Sequence, residues 1–140
     1  MSTDAETLGL LIKAVQHRHH RALDTALSAI GITLVQWNAL REIDRNPGAS
    51  MHRLAELTFN SDQAFGTLVN RLLQAGLVER QQGRGRVLVH VLTPHGGAMV
   101  KKGASLHHEV LQHSFAAISE VERDILFEIL SKLARNTASP

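Results

Sequence analysis

Arg80, Arg84 and Arg86 fall within seven residues, with Gly83 and Gly85 between them. Guanidinium groups stay charged at physiological pH and present a planar fork that suits phosphate oxygens. Glycines beside them let the backbone turn tightly next to a sugar-phosphate chain. The charge distribution agrees. Residues 51–102 carry seven Lys/Arg and three Asp/Glu, a balance of +4, whereas residues 1–50 balance at zero and residues 103–140 at −2. A basic middle third in a chain of net charge +2 is what phosphate binding needs. On charge alone, an ordinary solvated surface is the competing reading. Other chemistries have less to draw on. Cysteine is absent, which excludes disulfides, zinc-thiolate sites and thiol redox sensing. There is no Gly-rich phosphate loop and no nucleophile elbow, and Ser, His and Asp are too dispersed for a triad, so the chain does not read as an enzyme.

The arginines need elements to hold them. Val87 to Leu92 is strand-like and rich in β-branched residues, and Leu77 to Arg80 pairs with it across Gln81 to Arg86, giving a β-hairpin with a basic tip. Upstream, Gly76 closes a helix predicted over 61–75, capped by Asn60 or Ser61, with Asp62 in the first turn where a negative charge suits the helix dipole. Ser50 caps a shorter helix over 51–57, and Thr58-Phe59-Asn60 links the two, which is helix-turn-helix spacing. Thr33 caps a helix over 34–45 with Leu34, Trp37, Leu40 and Ile43 on one face, and Asn46-Pro47-Gly48 stops it. The fold expected is mainly α (α+β): a winged helix-turn-helix with long N- and C-terminal dimerisation helices and a two-stranded β-hairpin wing. A helix of the 61–75 kind enters the major groove, where all four base pairs differ. An arginine at a hairpin tip reaches the adjacent minor groove.

The long helices flank this lobe. Leu8, Leu11/Ile12, Val15, Ala22/Leu23, Ala26/Leu27 and Ile30 predict an amphipathic helix over 5–30, ended by Gly31. Thr93 caps and Pro94 opens a helix running to about Ala117. Ser119 and Glu122 form a capping-box pattern before a last helix carrying Val121, Ile125, Ile129/Leu130 and Leu133, and Asn136 to Pro140 reads as a frayed tail. The small central lobe cannot cover both terminal stripes, so an obligate homodimer with a two-fold axis is expected, intramolecular packing being the alternative. At 140 residues and 44 % hydrophobic, the chain can build a core without staples. Met1 to Glu6 has no basic n-region and the apolar runs are too short for a bilayer, so a cytoplasmic protein without membrane contact is expected.

Leu54-Ala55, Leu68-Val69-Asn70-Arg71-Leu72, Gly76-Leu77-Val78-Glu79-Arg80 and Leu92-Thr93-Pro94-His95-Gly96, with Gly31-Ile32-Thr33 and Gln36-Trp37 upstream, together resemble the MarR family of bacterial regulators over about residues 8–135. The resemblance implies a single MarR-type domain over 1–140, with helices 5–30 and 94–135 forming a triangular dimer and residues 34–93 the winged DNA-binding lobe. It implies a sequence-specific DNA-binding transcriptional regulator, a repressor on a pseudo-palindromic operator of double-stranded DNA, relieved by a small molecule. DNA contacts then fall to Ser50, Ser61, Gln63, Gly66, Thr67, Asn70, Arg71, Arg80, Arg84 and Arg86, with base reading resting on Gln63, Thr67 and Asn70. The chain departs from the family pattern in three places. Ala64, Gly66 and Thr67 stand where polar and basic residues are usual early in the recognition helix. Arg86 matches the arginine of a wing Asp-x-Arg, but Arg84 replaces the aspartate, and the wing is about two residues short. Phe59-Asn60 occupies the turn where a Gly-Val type pair is usual.

The resemblance also implies an effector pocket between the dimer helices and the lobe. Its candidate walls are His17, Trp37, Arg41 and His113, and Arg41 would favour a small anionic aromatic effector. Trp37 equally fits the core, since it lies on an apolar stripe. Nine histidines raise a metal-responsive alternative, through the i,i+4 pairs His20/Asp24 and Glu109/His113. No tight His pair lies on one predicted face, so no metal site and no cofactor is assigned. The remaining alternatives are a winged-helix protein-interaction module, against which the basic wing argues, and a nonspecific DNA-architectural module.

Overall fold

Side-chain caps set where the helices start. Asp4, Thr33, Ser50, Ser61 and Thr93 each sit in extended backbone and accept a hydrogen bond from the amide three residues on. The elements that follow are α1 (Ala5–Ser28), α2 (Leu34–Arg45), α3 (Met51–Leu57), α4 (Asp62–Gln74), β1 (Val78–Gln82), β2 (Leu88–Leu92), α5 (Pro94–Phe115) and α6 (Glu120–Arg135). This computed structural model describes residues 3–135, so Met1, Ser2 and the expected tail 136–140 lie outside it. Thr33 and Gln36 close a full capping box, and the Asp24 carboxylate of α1 accepts a further bond from the Leu34 amide at 2.8 Å. At α6 the Ser119 hydroxyl accepts from the Glu122 amide and the Glu122 carboxylate from the Ser119 amide. Hydrogen bonding from Ser119, its backbone amide first and its side chain second, holds the Glu122 carboxyl below its ordinary pKa.

The element boundaries shift slightly from those expected. α1 stops at Ser28 rather than Ile30, because the Ile30 and Ile32 amides both turn back to the Leu27 carbonyl and Gly31 takes a left-handed φ of 79°. α5 ends at Phe115 rather than Ala117. Gln81 and Gln82, expected in the hairpin turn, belong to β1, where they pair with Val89 and Leu88.

One core joins the elements. Leu23 and Leu27 of α1, Trp37, Leu40 and Ile43 of α2, Leu54 of α3, Phe65, Val69 and Leu72 of α4, Val78 of β1 and Met99 of α5 are all buried. Each large side chain removed from water stabilises the fold by about 1.5–3 kcal/mol. α5 docks through two glycines. A Cβ on Gly96 would overlap the Leu77 carbonyl, and one on Gly103 would overlap the Trp37 indole. α6, by contrast, buries no residue. Val121, Ile125, Phe127, Ile129 and Leu133 of α6 are at least half exposed, as are Leu10, Leu11, Ile12 and Val15 of α1. An apolar surface of that extent marks an interaction face. No described helix is long and apolar enough to cross a membrane.

Candidate nucleic-acid interface

α4 is amphipathic for a plain reason: Phe65, Leu68, Val69 and Leu72 recur at helical spacing and are buried. The same periodicity turns Gln63, Thr67, Asn70 and Arg71 outward, and all four are exposed. Gly66 is half-exposed with open space above its backbone. A shallow cavity of about 470 Å³ runs along this face, lined in part by Ser61, Gln63, Thr67 and Arg71. The Thr67 hydroxyl donates to the Gln63 carbonyl at 3.2 Å.

The turn before α4 fixes its angle to α3. The Asn60 amide donates to the Ala55 carbonyl at 2.9 Å, and the Asn60 side chain donates to the Thr58 carbonyl and hydroxyl. Phe59 reverses the chain at φ 58° with its ring 98 % exposed. That is the left-handed region where the family's usual glycine would sit without strain. His52 of α3 then bridges to Asp62 in the first turn of α4 at 2.9 Å and to Glu56 at 3.4 Å. The hydrogen bond to Asp62, and then the charges of Asp62 and Glu56, raise the pKa of His52. Two carboxylates beside the exposed face of α4 are thereby held against an imidazole whose charged form they favour. The sequence reading missed this pairing, although helix spacing places His52 and Glu56 on one face.

The wing holds its arginines away from carboxylates. Arg80 lies on β1 opposite His90, while Arg84 and Arg86 occupy the turn. Arg53, Arg71, Arg80, Arg84 and Arg86 are exposed, and among the described residues none forms a salt bridge. Gly85 turns the tip at φ 68°, and the Gly83 amide donates to the Val87 carbonyl at 2.7 Å. A Cβ on Gly83 would sit 3.0 Å from Val89 and 3.3 Å from the Val87 carbonyl, so that glycine answers a steric need too. Behind the wing, the His90 Nε2 is buried without a partner, and burial, then the charge of Arg80, lowers its pKa.

The four candidate effector residues do not share one cavity. Trp37 and Arg41 line a pocket of about 310 Å³ between α2 and α5, together with Arg45, His107, His108 and Phe115. The Arg41 guanidinium stands 4.7 Å from the Trp37 ring centre, and the His107 ring stacks on Trp37 at 4.6 Å. The indole Nε1 donates to the Val100 carbonyl at 3.2 Å, and Trp37 is 2 % exposed, so it serves core and pocket at once. His113 opens instead on a separate groove of about 500 Å³ between α1 and α5, with Arg18, His19, Glu109 and Ser114. His17 lines neither cavity. Of the His20/Asp24 pair, Asp24 spends one carboxylate oxygen on capping α2. Among the described residues no three His, Asp or Glu side chains converge to hold a metal ion.

Residues 30–86 match the model of the MarR family. The HTH-type transcriptional repressor Rv2887 of Mycobacterium tuberculosis is 29 % identical over 132 residues, which span 93 % of this chain and 95 % of the relative. The crystal structure of Rv2887 in complex with p-aminosalicylic acid superposes with a TM-score of 0.76 at 28 % identity, covering 91 % of this chain and 98 % of that one. The crystal structure of Rv2887 in complex with DNA gives a TM-score of 0.73 at 26 % identity, covering 90 % and 96 %.

Proposed function

Because this chain belongs to the MarR family, we propose that it is a transcriptional repressor that grips a two-fold DNA operator as a homodimer and is released by a small anionic aromatic effector. One observation carries the reading: a single lobe offers an outward helix face of amide and hydroxyl groups together with a hairpin whose three arginines have no carboxylate partner among the described residues. Gln63, Thr67 and Asn70 suit base edges in the major groove, where Gln and Asn pair with adenine. Arg71, Arg80 and Arg84 supply charge to the backbone, and Arg86 enters the minor groove. Ser50 and Ser61 hold the two helix N-termini, which attract phosphate.

The exposed stripes of α1 and α6 are the dimer face, so residues 5–30 and 94–135 form the dimer region and 34–93 the DNA-binding lobe. The family is one of transcription regulators, and a regulator of promoters works in the cytoplasm. The effector sits in the α2–α5 pocket, where Trp37, His107 and Phe115 offer aromatic faces and Arg41 and Arg45 offer positive charge. The p-aminosalicylic acid complex of Rv2887 supports that ligand class.

Footprinting on the promoter beside its own gene, with salt titration, tests the reading. The dimer should protect two half-sites about one helical turn apart. Arg86→Ala should weaken binding to matched and mismatched operators alike, and should reduce the salt slope by about 0.9 for each phosphate charge lost. Unchanged affinity and slope would remove the wing from the interface. Protection that ignores sequence would make the protein a DNA-architectural module instead.

A further inference from the structure

We propose that anion binding in the α2–α5 pocket draws a proton onto His107, so that the effector binds more tightly as pH falls. The inference rests on the pocket being the effector site. Its ground is the arrangement of charge there. The pocket is lined by two arginines and two histidines, and none of its lining residues is a carboxylate. The imidazole of His107 is stacked on Trp37, and neither of its ring nitrogens makes a hydrogen bond among the described residues.

The groups facing His107 are Arg41 and Arg45 from α2 and His108 from its own helix. The Glu42 carboxylate, next in sequence to Arg41, is bound to the Arg41 Nε at 3.3 Å. From α6, Arg123 reaches the lining residue Gln112 at 3.5 Å and adds a further positive charge to that side. Burial, then Arg41, Arg45 and His108, lower the His107 pKa from its ordinary value of 6.5, so these surroundings favour the neutral imidazole. A carboxylate seated between the arginines cancels their field on the ring and offers the imidazole N–H an acceptor. Both changes favour the charged form. A group whose pKa rises on binding takes up a proton between its free and bound values, and binding strengthens as pH falls through that window.

Calorimetric titration of salicylate into the full-length protein across roughly pH 6–8 tests this, in buffers that differ in ionisation heat. Its carboxylate stays ionised throughout, since carboxyl pKa values lie near 4. The binding heat should depend on the buffer, reporting uptake of up to one proton per site. Kd should fall about 3- to 10-fold from the upper to the lower end of the range, the limit being tenfold per pH unit for a fully coupled proton. His107→Gln, which keeps a flat polar side chain but loses the aromatic face, should bind salicylate more weakly, and the binding heat that remains should no longer depend on the buffer. Binding of the wild-type protein without buffer dependence overturns the inference and leaves the pocket assignment standing, and so does proton uptake that survives in the Gln variant. No binding by the wild-type protein at any pH overturns the pocket assignment itself.

Discussion

Two glycines on one helix should respond in opposite directions to the same substitution. Gly97 and Gly103 both lie inside α5. A methyl group on Gly97 meets nothing within 4 Å, whereas one on Gly103 overlaps the Trp37 indole and comes within 3.1 Å of Leu27. Alanine improves an interior helix position by about 0.5–1 kcal/mol over glycine, partly by narrowing the unfolded ensemble. Gly97→Ala keeps that gain. Gly103→Ala must set it against overpacking of about 1–3 kcal/mol. If Trp37 is pushed aside it also loses the Nε1 bond to Val100, worth about 1 kcal/mol net. The balance for Gly103→Ala is a loss of about 1–3 kcal/mol, or several degrees of Tm at roughly 2–4 °C per kcal/mol for a protein of this size. Urea unfolding followed by circular dichroism measures both, at one protein concentration because dimerisation contributes to stability. Trp37 is the sole tryptophan, so its fluorescence reports the joint directly and should shift only in Gly103→Ala. A Gly103→Ala protein as stable as Gly97→Ala, with native fluorescence, would refute the close approach of α5 to α2.

Phe59→Gly should raise stability by about 0.5–1 kcal/mol, because it relieves a left-handed backbone at φ 58° and sacrifices no packing from a ring that is 98 % exposed; a fall in the urea midpoint would contradict it. Gln63→Ala should cost about 1–3 kcal/mol on the matched operator and almost nothing on an operator altered at the one base pair it reads. Equal losses on both in gel-shift titrations would move the base contact elsewhere on α4.

Much of this architecture was legible because each signal was local. Ser50, Ser61, Thr33 and Thr93 announce helix starts through their own side chains, and Gly76 and Gly31 announce stops through backbone freedom. The exposed face of α4 followed from its buried one. The strained turn was half legible: Phe59 stood where glycine was expected, but only the φ angle shows that the turn kept its shape and left the side chain to bear the cost.

The candidate effector residues fall in different cavities because a helix face is not a location. Six residues apart on α5, His107 and His113 point about 120° away from each other at 3.6 residues per turn, so one opens toward α2 and the other toward α1. The missed signal lay in the same arithmetic. Gly96 and Gly103 are seven apart, two near-complete turns, and so share the face where α5 comes closest to the lobe. Whether Trp37 belonged to core or pocket was a false choice. Its ring is buried, its Nε1 holds the Val100 carbonyl of α5, and its face carries His107. A ligand that moves His107 therefore bears on the residue that fixes α2 against α5. α2 lies in the lobe proposed to bind DNA and α5 leads to the exposed stripe of α6. A change of charge in this pocket thus falls on the joint between lobe and dimer face, where small shifts change the spacing of two recognition helices.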